Sequence, residues 1–138
     1  MRLLVLDTHV VLDLWVFDDP AVQSLRAAIL SGACQWVGTA AMREELARVL
    51  GYPKIEAWMG KKNVQPECVL AQMDAWMTQV PEPMAAPARC RDPDDQKFID
   101  LAWHQPCVLI SKDHEVLRLS RALLARGVTV SAIFPGNP

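Results

Sequence analysis

The sequence predicts an α/β protein: a parallel sheet covered by helices on both faces. Apolar runs of strand length alternate with segments of helical periodicity along the whole chain. The two clearest runs, residues 3–6 and 108–110, are continuously apolar rather than alternating. Strand–helix alternation implies parallel crossovers, and a continuous apolar run is what a strand buried on both faces looks like. Each of those runs also stops at or close to an aspartate, Asp7 and Asp113. In open sheets of this class, ligands bind outside the carboxyl ends of the strands.

The elements follow in order. Leu3-Leu4-Val5-Leu6 is the first strand. Residues 10–17 are apolar with Asp13 inside and read as a short helix. Asp18-Asp19-Pro20 supplies a cap and a first-turn proline for a second helix over residues 21–30, stopped at Gly32. Residues 35–38 form a short strand. Thr39 is an N-cap, and Met42, Leu46, Val49 and Leu50 recur at helical spacing until Gly51 and Pro53 end the helix. Residues 55–59 are a turn or short helix, and Gly60-Lys61-Lys62-Asn63 is a polar turn. Pro66 opens an amphipathic helix reaching Val80, with Val69, Met73, Trp76 and Met77 on one face. Pro81, Pro83, Pro87 and Pro93 make residues 81–93 a loop. A helix over residues 94–104 turns Phe98, Leu101 and Ala102 inward and ends before Pro106. After the strand at residues 108–110 come a helix over residues 115–126, capped by Gly127, and a last strand over residues 128–134. Neither flank of the loop is large enough to fold separately, so residues 1–138 are read as a single domain.

Composition narrows the function. With 51% hydrophobic and 22% charged residues the chain supports a packed core rather than disorder. A net charge of −2 argues against gripping polyphosphate by surface charge alone. An acidic pocket covered by divalent cations is compatible with it, because the ion becomes the largest local charge. The four cysteines are scattered without zinc-site spacing and read as free, mostly buried thiols of a reducing compartment. No apolar stretch approaches the about 18 residues of a membrane span, and Asp7 interrupts the first run before a signal peptide's apolar region can form. A cytoplasmic protein with no membrane partner is expected.

The chemistry lies in carboxylates. Asp7 ends a strand, and helix N-capping alone would explain it. Glu45 borders the stripe of Met42, Leu46 and Val49 more closely than Glu44, though a solvated helix face would explain either. In Asp92-Pro93-Asp94-Asp95, one or two acids satisfy a helix start, whereas a third repels its neighbours unless something neutralises it. Lys112-Asp113-His114-Glu115 repeats the theme at another strand-to-helix junction. One cleft could collect these acids. Magnesium takes one or two carboxylates directly and completes its shell with water and phosphate oxygens; two ions about 4 Å apart suffice for phosphodiester cleavage with no nucleophilic side chain.

Val5-Leu6-Asp7-Thr8-His9-Val10-Val11-Leu12, Glu44-Glu45-Leu46 with Arg48-Val49-Leu50 and Pro53-Lys54, Arg91-Asp92-Pro93-Asp94-Asp95-Gln96-Lys97-Phe98, and Val108-Leu109-Ile110-Ser111-Lys112-Asp113 together resemble a PIN domain. The branch they are most similar to comprises toxin components of bacterial toxin–antitoxin pairs. The resemblance implies a three-layer α/β/α fold around a parallel sheet of four or five strands. It also implies Mg2+ or Mn2+ as cofactor and endonucleolytic cleavage of single-stranded RNA. Partners would be a small antitoxin protein and a second copy in a homodimer or higher homo-oligomer.

Carried over by position, the metal-binding and catalytic acids are Asp7, Glu45, Asp95 and Asp113, with Thr8, Ser111 and Asp92 supporting them. His9 stands where relatives commonly have asparagine and is assigned the same supporting role; protonated, it would compete with a cation. Lys112 replaces a usual small residue. Arg43, Arg91, Lys97 and Lys112 are the candidate phosphate contacts, with Lys54, Lys61, Lys62 and Arg89 behind them. Trp58 and Trp76 are candidates for a dimer or antitoxin surface. A haloacid-dehalogenase-type phosphatase needs an aspartate where His9 stands, and a receiver domain needs a mid-chain strand ending in aspartate; neither is present. The alternative that survives is a catalytically inactive PIN-like module binding RNA or protein.

Overall fold

The computed structural model describes residues 2–136. Five strands, β1 (Arg2–Leu6), β2 (Cys34–Gly38), β3 (Met77–Gln79), β4 (Cys107–Ile110) and β5 (Val128–Ser131), form one sheet in the order β3-β2-β1-β4-β5. Every pairing is parallel; Leu4 of β1 lies beside Trp36 on one side and Val108 on the other. The helices are α1 (Thr8–Trp15), α2 (Gln23–Leu30), α3 (Ala40–Val49), α4 (Pro53–Lys62), α5 (Pro66–Trp76), α6 (Gln96–Trp103), α7 (His114–Leu117) and α8 (Ser120–Leu124).

The period of two along a strand sends alternate side chains to opposite faces, and the core divides accordingly. Leu4, Leu6, Trp36, Val108 and Ile110 pack with α1, α2, α4, α5 and the Leu46 face of α3. Val5, Val37, Leu109 and Val128 pack with Phe98, Ile99 and Ala102 of α6, Val116 of α7 and Leu123 of α8. The result is a three-layer α/β/α fold, as the continuously apolar strands predict.

Several boundaries differ from expectation. The helix expected to reach Val80 stops at Trp76, and Met77–Gln79 becomes an edge strand on β2, with Trp36 opposite Met77. Met77 is buried as expected, but Trp76 is 38% exposed. Pro53 begins a helix instead of only ending one, because proline at the first helical position forfeits no hydrogen bond. That helix continues through Gly60-Lys61-Lys62, replacing the expected turn, and ends at Asn63 in the left-handed region with φ 56°. The helix expected over residues 115–126 is broken into α7 and α8, and the last strand ends at Ser131 rather than Phe134. Of the cysteines, Cys34 and Cys107 are buried, Cys90 is half-buried and Cys68 is exposed. Among the described residues no helix is long and apolar enough to cross a membrane.

Candidate metal centre

The chain runs from β1 outward to β2 and β3, then returns to the other side of β1 for β4 and β5. The crevice between β1 and β4 is thus the point where strand order reverses, which is where such sheets bind ligands. Asp7 and Ser111 each follow one of these two strands. The Asp7 amide donates to the Ile110 carbonyl at 3.1 Å, extending the ladder one residue past β1. Its Oδ1 accepts from the Val10 amide at 2.9 Å, capping α1, and its Oδ2 accepts from the Ser111 hydroxyl. The N-cap role and the pocket role therefore coexist. Burial pushes the Asp7 carboxyl up; bonds from Ser111 and Val10 and the nearby His9 oppose this, and Asp113 adds to it.

The Asp-Pro-Asp-Asp string folds as a 3-10 turn over Pro93–Asp95, with Asp92 Oδ1 accepting from the Asp94 amide at 3.0 Å. Proline at its first position commits the chain to a helical turn, which delivers Asp95 to the start of α6. Across the crevice Asp113 caps α7, accepting from the Glu115 amide at 2.8 Å, while its own amide donates to Ser111 Oγ at 3.1 Å. Oxygens of Asp92, Asp95 and Asp113 all lie within 4.8 Å of one another. Asp92, expected only to support the pocket, is as close to these oxygens as the expected ligands are.

Burial pushes the Asp95 carboxyl up to about 7, helped by hydrogen bonding with and repulsion from Asp113, then by the charges of Asp92 and Asp7. Its Oδ2 is buried and has no hydrogen-bond partner. An all-oxygen donor set, mutual repulsion and an orphaned carboxylate oxygen fit a hard divalent cation.

Glu45 faces the same cleft, of about 490 Å³, which is lined by Asp7, Thr8, His9, Glu45, Asp95, Lys112 and Asp113 and walled by Leu12, Val49, Tyr52 and Ile55. Glu44 is exposed and is not among the lining residues. Glu45 Oε1 accepts from Thr8 Oγ1 at 2.7 Å, and its Oε2 accepts from the Lys97 ammonium, which also donates to the Asp94 carbonyl. His9 is exposed at the rim, its ring 6.3 Å from that of Phe17, and it is outside the Asp92–Asp95–Asp113 group.

Three of the four expected phosphate contacts carry ion pairs within the protein. Arg43 is held by Asp74 through two bonds of 2.7 and 2.9 Å, Lys97 by Glu45, and Lys112 by the buried Asp13. Only the exposed Arg91 of the four has no ion pair among the described residues. Of the cations behind them, Arg89 lies 3.8 Å from Asp100 and Lys62 lies over the Trp58 ring. Asp13 is 4% exposed, and removing a buried carboxylate's partner leaves its desolvation unanswered. Lys112→Met is expected to lower stability by about 1–3 kcal/mol, as read by urea denaturation; half of Lys112 already faces solvent, which sets the modest size. An unchanged midpoint would show that water alone satisfies Asp13.

Exposed Arg48 lies outside the cleft lining but beside Tyr52 of its wall. Its guanidinium is held above the usual range by a hydrogen bond with Tyr52, then by the charges of Tyr52, Glu45 and Asp94. Arg48 lies three residues past Glu45 on α3, one turn along the same face.

A parallel sheet whose switch point gathers carboxylates and one orphaned oxygen beside a cleft of about 490 Å³ defines a class of α/β proteins with a candidate site for a divalent cation. Within that class, the chain belongs to the PIN domain family, whose model matches residues 3–115. PIN domains are generally nucleases that use divalent metals. No curated protein matches the chain.

Proposed function

We propose that the protein is a Mg2+- or Mn2+-dependent endoribonuclease that hydrolyses phosphodiester bonds of single-stranded RNA. The observation that carries this reading is the convergence of Asp92, Asp95 and Asp113 at the sheet's switch point, with Asp95 Oδ2 buried and partnerless. Asp92, Asp95 and Asp113 would hold the ion, with Asp7 adding negative charge from the floor of the pocket. When bound, the ion supplies Lewis-acid activation of water and screens the phosphate charge. Ser111 orients both sides of the crevice, donating to Asp7 and accepting from the Asp113 amide. Thr8 orients Glu45, and His9 stands at the mouth where substrate enters. Leu12, Val49, Tyr52 and Ile55 give one wall on which an unpaired base can lie. The matched segment ends at residue 115, yet β5 completes the sheet beyond it; we take residues 1–138 as one nuclease domain.

The role as the toxin of a toxin–antitoxin pair, working in the cytoplasm, is supported by the motif resemblance. Exposed Tyr52, Trp58 and Trp76, at 48%, 41% and 38%, support a protein-binding surface for an antitoxin or a second copy. Light scattering of the purified protein tests the homodimer. For the activity, unstructured RNA incubated with millimolar Mg2+ or Mn2+ should be cleaved by the wild type and not by Asp7→Asn, which keeps an N-cap acceptor for Val10. Equal cleavage by both would mark a contaminant, and metal binding without cleavage by either would favour the binding module.

Metal and pH should be linked. The raised Asp95 carboxyl means that the metal-free folded protein binds more protons than the unfolded chain between about pH 4 and 7. Stability contributed by this group is therefore present at low pH and lost as pH rises through 7. Melting of the metal-free protein should fall across that window, and saturating Mg2+ or Mn2+ should raise it most at pH 8. A metal shift that is largest at pH 5 would contradict the assignment.

A further inference from the structure

The acids of the cleft divide into two sets by charge. None of the ion pairs among the described residues involves Asp7, Asp92, Asp95 or Asp113. Glu45, by contrast, is paired with Lys97, and both are largely buried, with side-chain exposures of 11% and 22%. Both Glu45 oxygens are taken, one by Thr8 and one by the ammonium. Lys97 is itself held in place, since its ammonium also bonds the Asp94 carbonyl and lies 5.4 Å from the centre of the Phe98 ring. Glu45 is absent from the group of acids whose oxygens converge.

We propose that Lys97 is a built-in cation that occupies the position a second divalent ion would otherwise take at Glu45, so that this nuclease works with a single ion per chain. The inference rests on the nuclease reading above and sharpens it. Phosphodiester cleavage gains from positive charge on both sides of the scissile bond, which two-metal sites supply with a pair of ions. A lysine ammonium is a compact point charge, and clamped between a carboxylate and a carbonyl it presents that charge without reorganisation. Admitting an ion at Glu45 would require expelling the ammonium from a buried pair and leaving it beside a divalent cation, so the two occupants exclude each other. Glu45 is then a positioning residue for Lys97 instead of a metal ligand, and the ion is left to Asp92, Asp95 and Asp113.

The test is Mn2+ stoichiometry of the purified full chain, with electron paramagnetic resonance to distinguish an isolated ion from a spin-coupled pair. Wild type should take one Mn2+ with an uncoupled six-line spectrum. Glu45→Gln should keep that ion, its affinity changing less than about threefold, whereas loss of a direct carboxylate ligand would cost more than the roughly 10–100-fold typical of an outer-shell partner. Lys97→Met, which keeps the aliphatic stem against Phe98, should admit a second, coupled ion, and adding Glu45→Gln should remove it again. A coupled pair in wild type overturns the proposal, as does loss of the ion in Glu45→Gln, a measurement that stands whether or not the Lys97 variants fold. A single ion in a folded Lys97→Met overturns it too. Failure of wild type to bind any Mn2+ would instead remove the nuclease reading, and this proposal with it, which keeps the two failures distinct.

Discussion

Replacing Asp95 by asparagine should lower metal-supported RNA cleavage more than about 100-fold, beyond the loss typical of an outer-shell partner. The same variant should melt higher than wild type at pH 8 without metal. Both effects have one cause. Asp95 is half-buried, its carboxyl is pushed up to about 7 by burial and by Asp113, and one of its oxygens has no partner. Ionised and without a cation it destabilises the fold; with a cation it becomes a ligand. Asparagine removes the charge at nearly constant shape, so the repulsion and the metal response vanish together. The gain should shrink as pH falls from 7 and vanish only below the unfolded carboxyl's value of 3.8, where the wild-type carboxyl is protonated in both folded and unfolded states. An Asp95→Asn protein that melts lower at pH 8, or still gains melting temperature from Mn2+ like wild type, would remove Asp95 from the metal site.

Phe98→Ala should cost about 3–5 kcal/mol, lowering the melting temperature by roughly 10–20 °C. Phe98 is 1% exposed and packs in the core layer with Val5, Ile99 and Leu109. It also lies in the first turn of α6, directly after Lys97 and three residues after Asp95. The loss should therefore appear in metal binding as well as stability, because the cavity lies beneath the turn that presents Asp95. A marginal domain has only about 5–15 kcal/mol in total, so thermal denaturation and Mn2+ affinity are best measured well below the midpoint. A change under about 1 kcal/mol would show that the α6 turn is held by its caps and not by this packing.

The candidate metal pocket was legible in the sequence to unequal degrees. Asp7 and Asp113 could be paired from pattern alone, because an apolar run ending in an acid marks the carboxyl edge of a buried strand. Asp95 could be suspected because three carboxylates in one turn exceed what a helix start needs. Glu45 could not be separated from Glu44 on pattern alone: both lie on one helix, and only packing of α3 showed that Glu45 turns inward to Thr8. β3 was illegible for a related reason. Met77–Gln79 continues the apolar pattern of α5, and what makes it a strand is the neighbouring edge of β2.

The ion-pair partners of the basic residues were the least legible part. Arg43, Lys97 and Lys112 are basic residues near acids in sequence, and charge alone suggested substrate. Their partners, Asp74, Glu45 and Asp13, lie 31, 52 and 99 residues away along the chain. Local sequence, through hydrophobic period and turn chemistry, determined the layers of this protein, the edge where its acids stand and the family it belongs to. Which acids are neutralised from within and which stay unpaired among the described residues was decided only by the tertiary structure. Burial and charge pairing depend on distances between segments that the order of residues does not contain.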